Sequence, residues 1–288
     1  MQQTVEGNNG ENRFTRADVA ALLSEVAAEY TAKGGPPLSV VIHGGASATL
    51  RHDFRETTHD IDYALLEPSS LFEDCVASVG RRHNLFPRWM HSMPQISEMP
   101  RYRENFRRHV EPLTGFLPGT DGTVSFSAQD DAWLLVHSLY FFRRYKRDAE
   151  NILGILREER LRGRFLTVEE LRRTIREVYG EDTRCSWEGE ALLAALGPDA
   201  DLSSLLALHK RRAEYYKGLY EFLYGFLRLK CSKSGDDAER IVLWESVSWQ
   251  TEADIRDSLA EHGVSLSPRI TGHFARQLFS PAYIPMRP

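Results

Sequence analysis

Residues Val40 to Leu66 read VVIHGGASATLRHDFRETTHDIDYALL. Ser39 to Ile42 has the apolar, β-branched character of a short buried strand, and it runs straight into His43-Gly44-Gly45. Ala46 and Ser47 extend a small-residue turn, with a short helix expected from Ser47 to about Arg51. Thr57 to Leu66 is a second β-rich run that carries Asp60-Ile61-Asp62 and is closed by Pro68. In a strand, residues i and i+2 face the same way, roughly 6.5–7 Å apart. Asp60 and Asp62 are therefore expected to present two carboxylates side by side, with Ile61 and Tyr63 turned to the core. Paired hard-oxygen ligands suit Mg²⁺, with Mn²⁺ as the other candidate, because such ions take one or two carboxylates and complete their shell with water and phosphate oxygens. A Gly-Gly turn lets backbone N–H groups approach a phosphate chain with no Cβ in the way. Each element alone is common, an Asp-x-Asp on a solvated strand edge or a Gly-Gly in an ordinary turn. Their order, with fourteen residues between Gly45 and Asp60, gives the pattern its weight.

Upstream, Thr15 to Lys33 has helical spacing (Val19, Leu22, Leu23, Val26, Tyr30), a capping box at Thr15 and Asp18, and a stop at Gly34-Gly35-Pro36-Pro37. Downstream, Ser70 to His83 predicts a helix capped by Ser70 and Glu73. Residues 84–122 are rich in Pro, Arg and His and are assigned no more than one or two strands. Val124 to Phe126 is a strand, and Ser127 and Asp130 are expected to cap an apolar helix from Ala128 to Tyr145. Helices at Asp148–Leu161 and Val168–Tyr179 follow, and beyond Gly180 the pattern is helical only, with one long amphipathic helix from Leu202 to Lys230. Ser232 to Asp237 reads as a polar linker, and Thr251 and Asp254 cap a helix ending near Gly263. The expected organisation is a disordered tail over 1–14, an α/β domain over 15–185 and a helical domain over 186–288.

Length and composition fit this division. The 288 residues admit one large domain or two, domains typically running to roughly 100–150 residues. Charged residues are 27% and hydrophobic ones 42%, which excludes disordered, fibrous and membrane-embedded classes. With 36 Lys+Arg against 41 Asp+Glu, any nucleic-acid contact must be local, and DNA coating is not expected. Cys75, Cys185 and Cys231 are too few and too far apart for a disulfide framework or a zinc site. Residues 1–14 hold no apolar signal core, and the most apolar run, Ala132 to Phe142, falls well short of the ~18 residues that span a bilayer. A cytoplasmic protein without membrane contact is expected.

The Gly44-Gly45 turn followed by Asp60-Ile61-Asp62 resembles the hG[GS]…DhD signature of the polymerase-β-type nucleotidyltransferase superfamily. Within it the chain is most similar to the minimal bacterial group of AbiEii-type toxins and DUF6036 proteins. Arg55 to His59 resembles that group's Arg/Thr-rich lead-in, and Leu85 to His91 its L-x-x-x-W-L-N segment. The order of strand, Asp130-Asp131, apolar helix and Lys146-Arg147-Asp148 resembles its later helical segment. The likeness covers residues 36–160 and implies a small mixed sheet flanked by helices, the α+β nucleotidyltransferase fold, with an all-helical C-terminal part. It implies metal binding by Asp60 and Asp62, nucleoside triphosphate binding by Gly44, Gly45, Ser47, Arg55 and His137, and a catalytic place for Asp148 beside the two aspartates. The chain departs from the group at His137, where a Lys is usual, at Asn151, where a second acid is usual, and in lacking a clear third metal-binding carboxylate, Asp121 and Glu111 being weak substitutes.

Two functions are expected on this basis. The first is Mg²⁺-dependent transfer of a nucleoside monophosphate from an NTP to a hydroxyl acceptor, with tRNA or other RNA favoured. The second, motivated by the departures, is a nucleotidyltransferase-like protein without catalysis that binds a toxin–antitoxin partner. Arg51 and Arg55, between the turn and the carboxylates, are the phosphate candidates. Asp148 is equally an exposed charged residue, and His137 more simply a core histidine. Arg101, Arg103, Arg107 and Arg108 form a basic cluster interleaved with Tyr102 and Phe106, read first as a solvated loop. His209-Lys210-Arg211-Arg212 reads as the solvent face of the long helix, and the aromatic residues from Tyr215 to Phe226 as packing.

Overall fold

A computed structural model describes residues 12–86, 88–92, 105–113, 122–180, 184–197 and 199–279. The chain is mixed α/β with a helical C-terminal part and divides into two compact units, Met1–Leu134 and Leu135–Pro288.

The first unit is built on β2 (Leu38–His43), flanked by β4 (Ile61–Leu65) and β7 (Val124–Gln129) in a five-stranded sheet. The two remaining strands, β5 (Met90–Ser92) and β6 (Val110–Pro112), lie at its edges, giving the order β5-β4-β2-β7-β6. β2 runs antiparallel to β4 and parallel to β7. A separate two-stranded ladder pairs β1 (Phe14–Thr15) with β3 (Thr57–Thr58). Helices α1 (Arg16–Ala32) and α3 (Ser70–Arg82) pack on each other, and their apolar faces share a core with the inward side chains of the sheet. The capping box at Thr15 and Asp18 is present, whereas α3 is capped one residue earlier than expected, by Ser69, whose hydroxyl oxygen accepts from the Phe72 N–H. The predicted strand Thr57–Leu66 is two strands, β3 and β4, with His59 and Asp60 between them. The tail expected to be disordered through residue 14 is ordered by residue 12, because the buried Phe14 ring packs edge-on against Trp89. The expectation for residues 1–11 lies outside the described residues.

β7 continues through Ala128 and Gln129, which pair with β2 and β6, so the predicted helix from Ala128 begins instead at Asp131 as α4 (Asp131–Tyr140). Asp130 still caps it, accepting from the Trp133 N–H at 2.8 Å.

The second unit is helical: α5 (Asp148–Leu161), α6 (Val168–Tyr179), α7 (Trp187–Ala195), α8 (Leu202–Lys230), α9 (Gly235–Leu243), α10 (Glu252–Glu261) and α11 (Pro268–Leu278). α8 packs against α5, α9 and α11. The polar linker expected to reach Asp237 ends sooner, because Ser234 caps α9. The division between units falls at Leu134/Leu135 rather than near residue 185. The reason is that α5 packs on α8, and a buried charge cluster ties the α4–α5 connection to α7 and α8. Glu188 Oε1 accepts from Arg144 Nε at 3.1 Å and from Arg212 Nη2 at 2.9 Å, while Arg144 Nη2 donates to the Trp249 carbonyl at 3.0 Å. The Arg144 guanidinium also lies 4.8 Å from the Trp187 ring centre. His209 and Arg212, expected on the solvent face of the long helix, are both buried. Their i,i+3 spacing puts them on one side of α8, leaving Lys210 and Arg211 exposed.

Two stability predictions follow from this burial. Glu188→Ala leaves two arginines buried without their counter-charge and is expected to cost about 3–5 kcal/mol, read as a lower urea midpoint of the intact chain. Burial, then the neighbouring Arg212 charge, pushes the His209 pKa from 6.5 down to about 4. Below pH 6.5 the unfolded chain takes up a proton that folded His209 refuses, so stability present above that pH is lost as pH falls toward 4. At about 1.4 kcal/mol per pKa unit, this amounts to roughly 3 kcal/mol. His209→Phe should flatten the stability–pH slope in that window by about one proton.

Candidate metal centre

The end of β2 sets the site. After His43 the backbone enters the left-handed region at Gly44, φ +62°, and helix α2 (Gly44–Arg51) begins at once, three residues earlier than expected. The antiparallel register of β2 and β4 puts His43 opposite Asp62, so the turn passes directly beside that carboxylate. A Cβ at Gly44 would lie 2.9 Å from Asp62 Oδ2. A Cβ at Gly45 would lie 2.7 Å from Thr58 Oγ1 and 2.8 Å from Arg55 Nη2. Both glycines are thus needed to let polar side chains close on the backbone. Asp60 sits one residue ahead of β4, and Thr58 Oγ1 donates to its carbonyl at 3.1 Å. The structure therefore brings together Gly44, Gly45, Arg55, Asp60 and Asp62.

A sixth residue, missed in the sequence, joins them. β5 runs parallel to β4 with His91 in register with Asp62. Asp60, Asp62 and His91 each offer a ligand atom, all within 4.8 Å of one another, and all three are half-buried. This is the group of metal-ligating type found among the described residues. His91 Nε2 lies 2.9 Å from Asp62 Oδ1. Burial lowers the pKa of His91, but the hydrogen bond to Asp62 and the charges of Asp62 and Asp60 outweigh it and raise the value above the ordinary one. Trp89 anchors the strand: its ring is buried, it fills the space left by Gly80 on α3, and its carbonyl accepts from the Ile61 N–H at 2.8 Å. The signal available in the sequence was Trp89-Met90-His91, but a three-residue strand is too short to show a period.

Compared with protein-family models, curated proteins and solved structures, the chain matches none.

The other expected residues have the following partners. Ser47 is fully buried and donates to the Gln129 carbonyl at 3.2 Å, and the Gly44 N–H donates to Gln129 Oε1 at 3.2 Å. Arg51 is engaged by Glu111 at 2.6 Å and by Asp131 at 3.1 Å, which brings Glu111 to Arg51. Asp121, Arg101, Tyr102 and Arg103 lie outside the described residues; Phe106 is buried between the His43 and Trp133 rings, and Arg107 pairs with Glu67 at 3.5 Å. Asp148 and His137 belong to the second unit. There Asp148 is buried rather than exposed; burial alone would raise its pKa, yet the Arg143 charge and hydrogen bonds hold it below the ordinary value. Arg143 grips it through Nε at 2.9 Å and Nη2 at 2.8 Å. His137 Nδ1 lies 2.9 Å from the Tyr179 hydroxyl, in a half-buried aromatic cluster with Phe141.

Gly44→Ala should destabilise the chain by about 1–2 kcal/mol through its left-handed backbone alone, with displacement of Asp62 added. Gly218→Ala, inside α8 with open space around it, should instead stabilise by about 0.5–1 kcal/mol. Denaturation midpoints of the two variants check the pair.

Proposed function

We propose that this chain is a divalent-cation-dependent nucleotidyltransferase that moves a nucleoside monophosphate from an NTP to a hydroxyl acceptor, with RNA, tRNA in particular, as the favoured acceptor class. The observation that carries this reading is the convergence of Asp60, Asp62 and His91 on the Gly44–Gly45 turn at the start of α2. The residues fit a cation: two carboxylates and an imidazole lie within reach of a common point, half-open to solvent. A bound dication of the Mg²⁺ or Mn²⁺ kind supplies charge neutralisation to a transferring phosphoryl group.

The chain's own groups do the positioning. The Gly44–Gly45 turn lies at the N-terminus of α2, where the dipole favours anions. Arg55, buried beside Gly45, adds a fixed positive charge suited to phosphate. Asp60 and Asp62 would hold the cation. The acceptor oxygen forms a bond to the α-phosphorus, the bond from that phosphorus to the α–β bridging oxygen breaks, pyrophosphate leaves, and the hydroxyl proton passes to water. Rate acceleration in this scheme comes from alignment and electrostatics rather than from a covalent intermediate. The helical unit is proposed as the acceptor- or partner-reading part. Ser47, Asp148 and His137 are engaged in the interactions described above, and no step of this scheme is assigned to them.

One observation favours a second reading, a nucleotidyltransferase-like protein that binds a toxin–antitoxin partner without catalysis. The Gly44 N–H, the first donor of α2, already serves the Gln129 side chain. Among the described residues no helix is long and apolar enough to cross a membrane.

The test is transfer of label from α-³²P-ATP, GTP, CTP and UTP to total RNA and to cell lysate in the presence of Mg²⁺ or Mn²⁺. Asp60→Asn and Asp62→Asn should reduce labelling by more than about a hundredfold, since even partners one shell out from a metal are worth 10–100-fold. Labelling equal to wild type in both variants sinks the assignment. Labelling absent from wild type, with a protein partner retained on purification, selects the binding reading.

A further inference from the structure

The geometry points to His91 as a third ligand of the cation held by Asp60 and Asp62, making this a site for a manganese-class transition dication in preference to Mg²⁺. The inference rests on reading the two aspartates as a cation site, and it deepens that reading by naming the ion.

Three observations carry it. First, His91 is held in place by the sheet rather than by a loop. It lies in register with Asp62 on the neighbouring parallel strand, and that strand is pinned by the buried Trp89 and by the bond from the Ile61 N–H to the Trp89 carbonyl. Second, its ring is oriented as a metal-binding histidine must be. Nδ1 faces the Arg88 carbonyl at 3.3 Å, and since a carbonyl only accepts, Nδ1 is the nitrogen that carries hydrogen there. Nε2 is the nitrogen presented to the aspartates, 2.9 Å from Asp62 Oδ1, which also only accepts, so without a cation Nε2 carries hydrogen too and a bound cation takes the place of that proton. A backbone carbonyl holding the far ring nitrogen is the common way that proteins fix the tautomer and direction of a ligating imidazole. Third, the three ligand atoms already lie within 4.8 Å of one another, so one ion at their centre is in reach of all.

The ion follows from the donor set. Mg²⁺ is a hard cation that demands oxygen ligands in near-ideal octahedral geometry and gives up water reluctantly. Imidazole suits first-row transition ions such as iron, nickel, copper and zinc, whereas carboxylate, carbonyl and water suit Mg²⁺ and Mn²⁺. Mn²⁺ stands between the two sets: it shares the preference of Mg²⁺ for carboxylate oxygens and, as a first-row transition ion, also accepts an imidazole nitrogen.

The test uses the full chain and Mn²⁺ itself. Free Mn²⁺ is followed by its electron paramagnetic resonance signal during titration, and the bound ion is examined by electron spin-echo envelope modulation for a directly coordinated nitrogen. Mg²⁺ affinity is measured by its competition with Mn²⁺. Circular dichroism checks that each variant is folded. Wild type should bind Mn²⁺ with nitrogen modulation, and Asp60→Asn should release it. His91→Gln should abolish the modulation and weaken Mn²⁺ by at least about tenfold, comparable to the loss of a supporting partner of a metal ligand, while Mg²⁺ weakens much less. His91→Asp should retain binding and move the preference toward Mg²⁺.

Mn²⁺ bound by wild type without nitrogen modulation overturns the His91 assignment on its own, whether or not the variants fold, and leaves the aspartate pair standing if Asp60→Asn releases the ion. Equal losses of Mn²⁺ and Mg²⁺ in folded His91→Gln overturn the preference. Binding of neither ion by wild type overturns this inference and the cation-dependent reading together. Nitrogen modulation without label transfer from any NTP supports the His91 assignment and counts against the transfer reaction alone.

Discussion

At Gly44 the backbone leaves a β-strand, turns left-handed and starts a helix within less than a methyl group's clearance of the Asp62 carboxylate. That close approach is the constraint on which the first unit's site depends. It requires a residue with no Cβ at Gly44, since φ > 0 and the proximity of Asp62 each disfavour any other. It requires the β2–β4 register that sets His43 against Asp62, because a one-residue slip would send the carboxylate to the other face of the sheet. It also draws in Thr58 and Arg55, which close on Gly45 in the same way. Backbone, carboxylates and guanidinium are thereby held together by the sheet's own geometry, with β5 adding an imidazole at the open side of β4.

The second unit depends on a different constraint, the burial of charge. Arg144, Glu188 and Arg212 share one carboxylate oxygen in the interior, and Arg144 reaches on to the Trp249 carbonyl and the Trp187 ring. Such clusters contribute little net stability compared with apolar packing, because desolvating the ions costs about as much as their attraction returns. Their consequence is geometric: each partner comes from a different element, so the α4–α5 connection, α7, α8 and the loop before α10 meet in one arrangement. The Arg143–Asp148 pair at the start of α5 works the same way, turning a residue that reads as surface charge into an interior link.

Local chemistry was readable where it acts over a few residues. The capping box of α1, the strand before Gly44, the 3.6-residue period of α5, α6 and α8, and the helical character of the C-terminal part all follow from side chains within one or two turns of each other. Readings that needed long-range partners went differently. Ala128 and Gln129 look helical by composition but complete β7, because β2 and β6 both offer pairing partners. His209 and Arg212 look like part of a solvated basic run, yet Glu188, twenty-odd residues upstream, supplies the counter-charge that allows Arg212 inside. Arg51 looks free to meet phosphate until Glu111 and Asp131 are brought to it from distant segments.

The sequence by itself determined the mixed α/β class, the helical C-terminal part and the candidacy of Gly44, Gly45, Arg55, Asp60 and Asp62, because strand, turn and strand are contiguous and their order is written in one stretch of 27 residues. Tertiary structure alone decided that His91 joins the aspartates, that Ser47 faces inward, that Asp148 and His137 are committed within the other unit, and that the units divide inside α4. The physical reason is the same in each case. Strand register, helix packing and buried ion pairs couple residues far apart in the chain, and the partner that decides a side chain's role is not in its neighbourhood until the chain has folded.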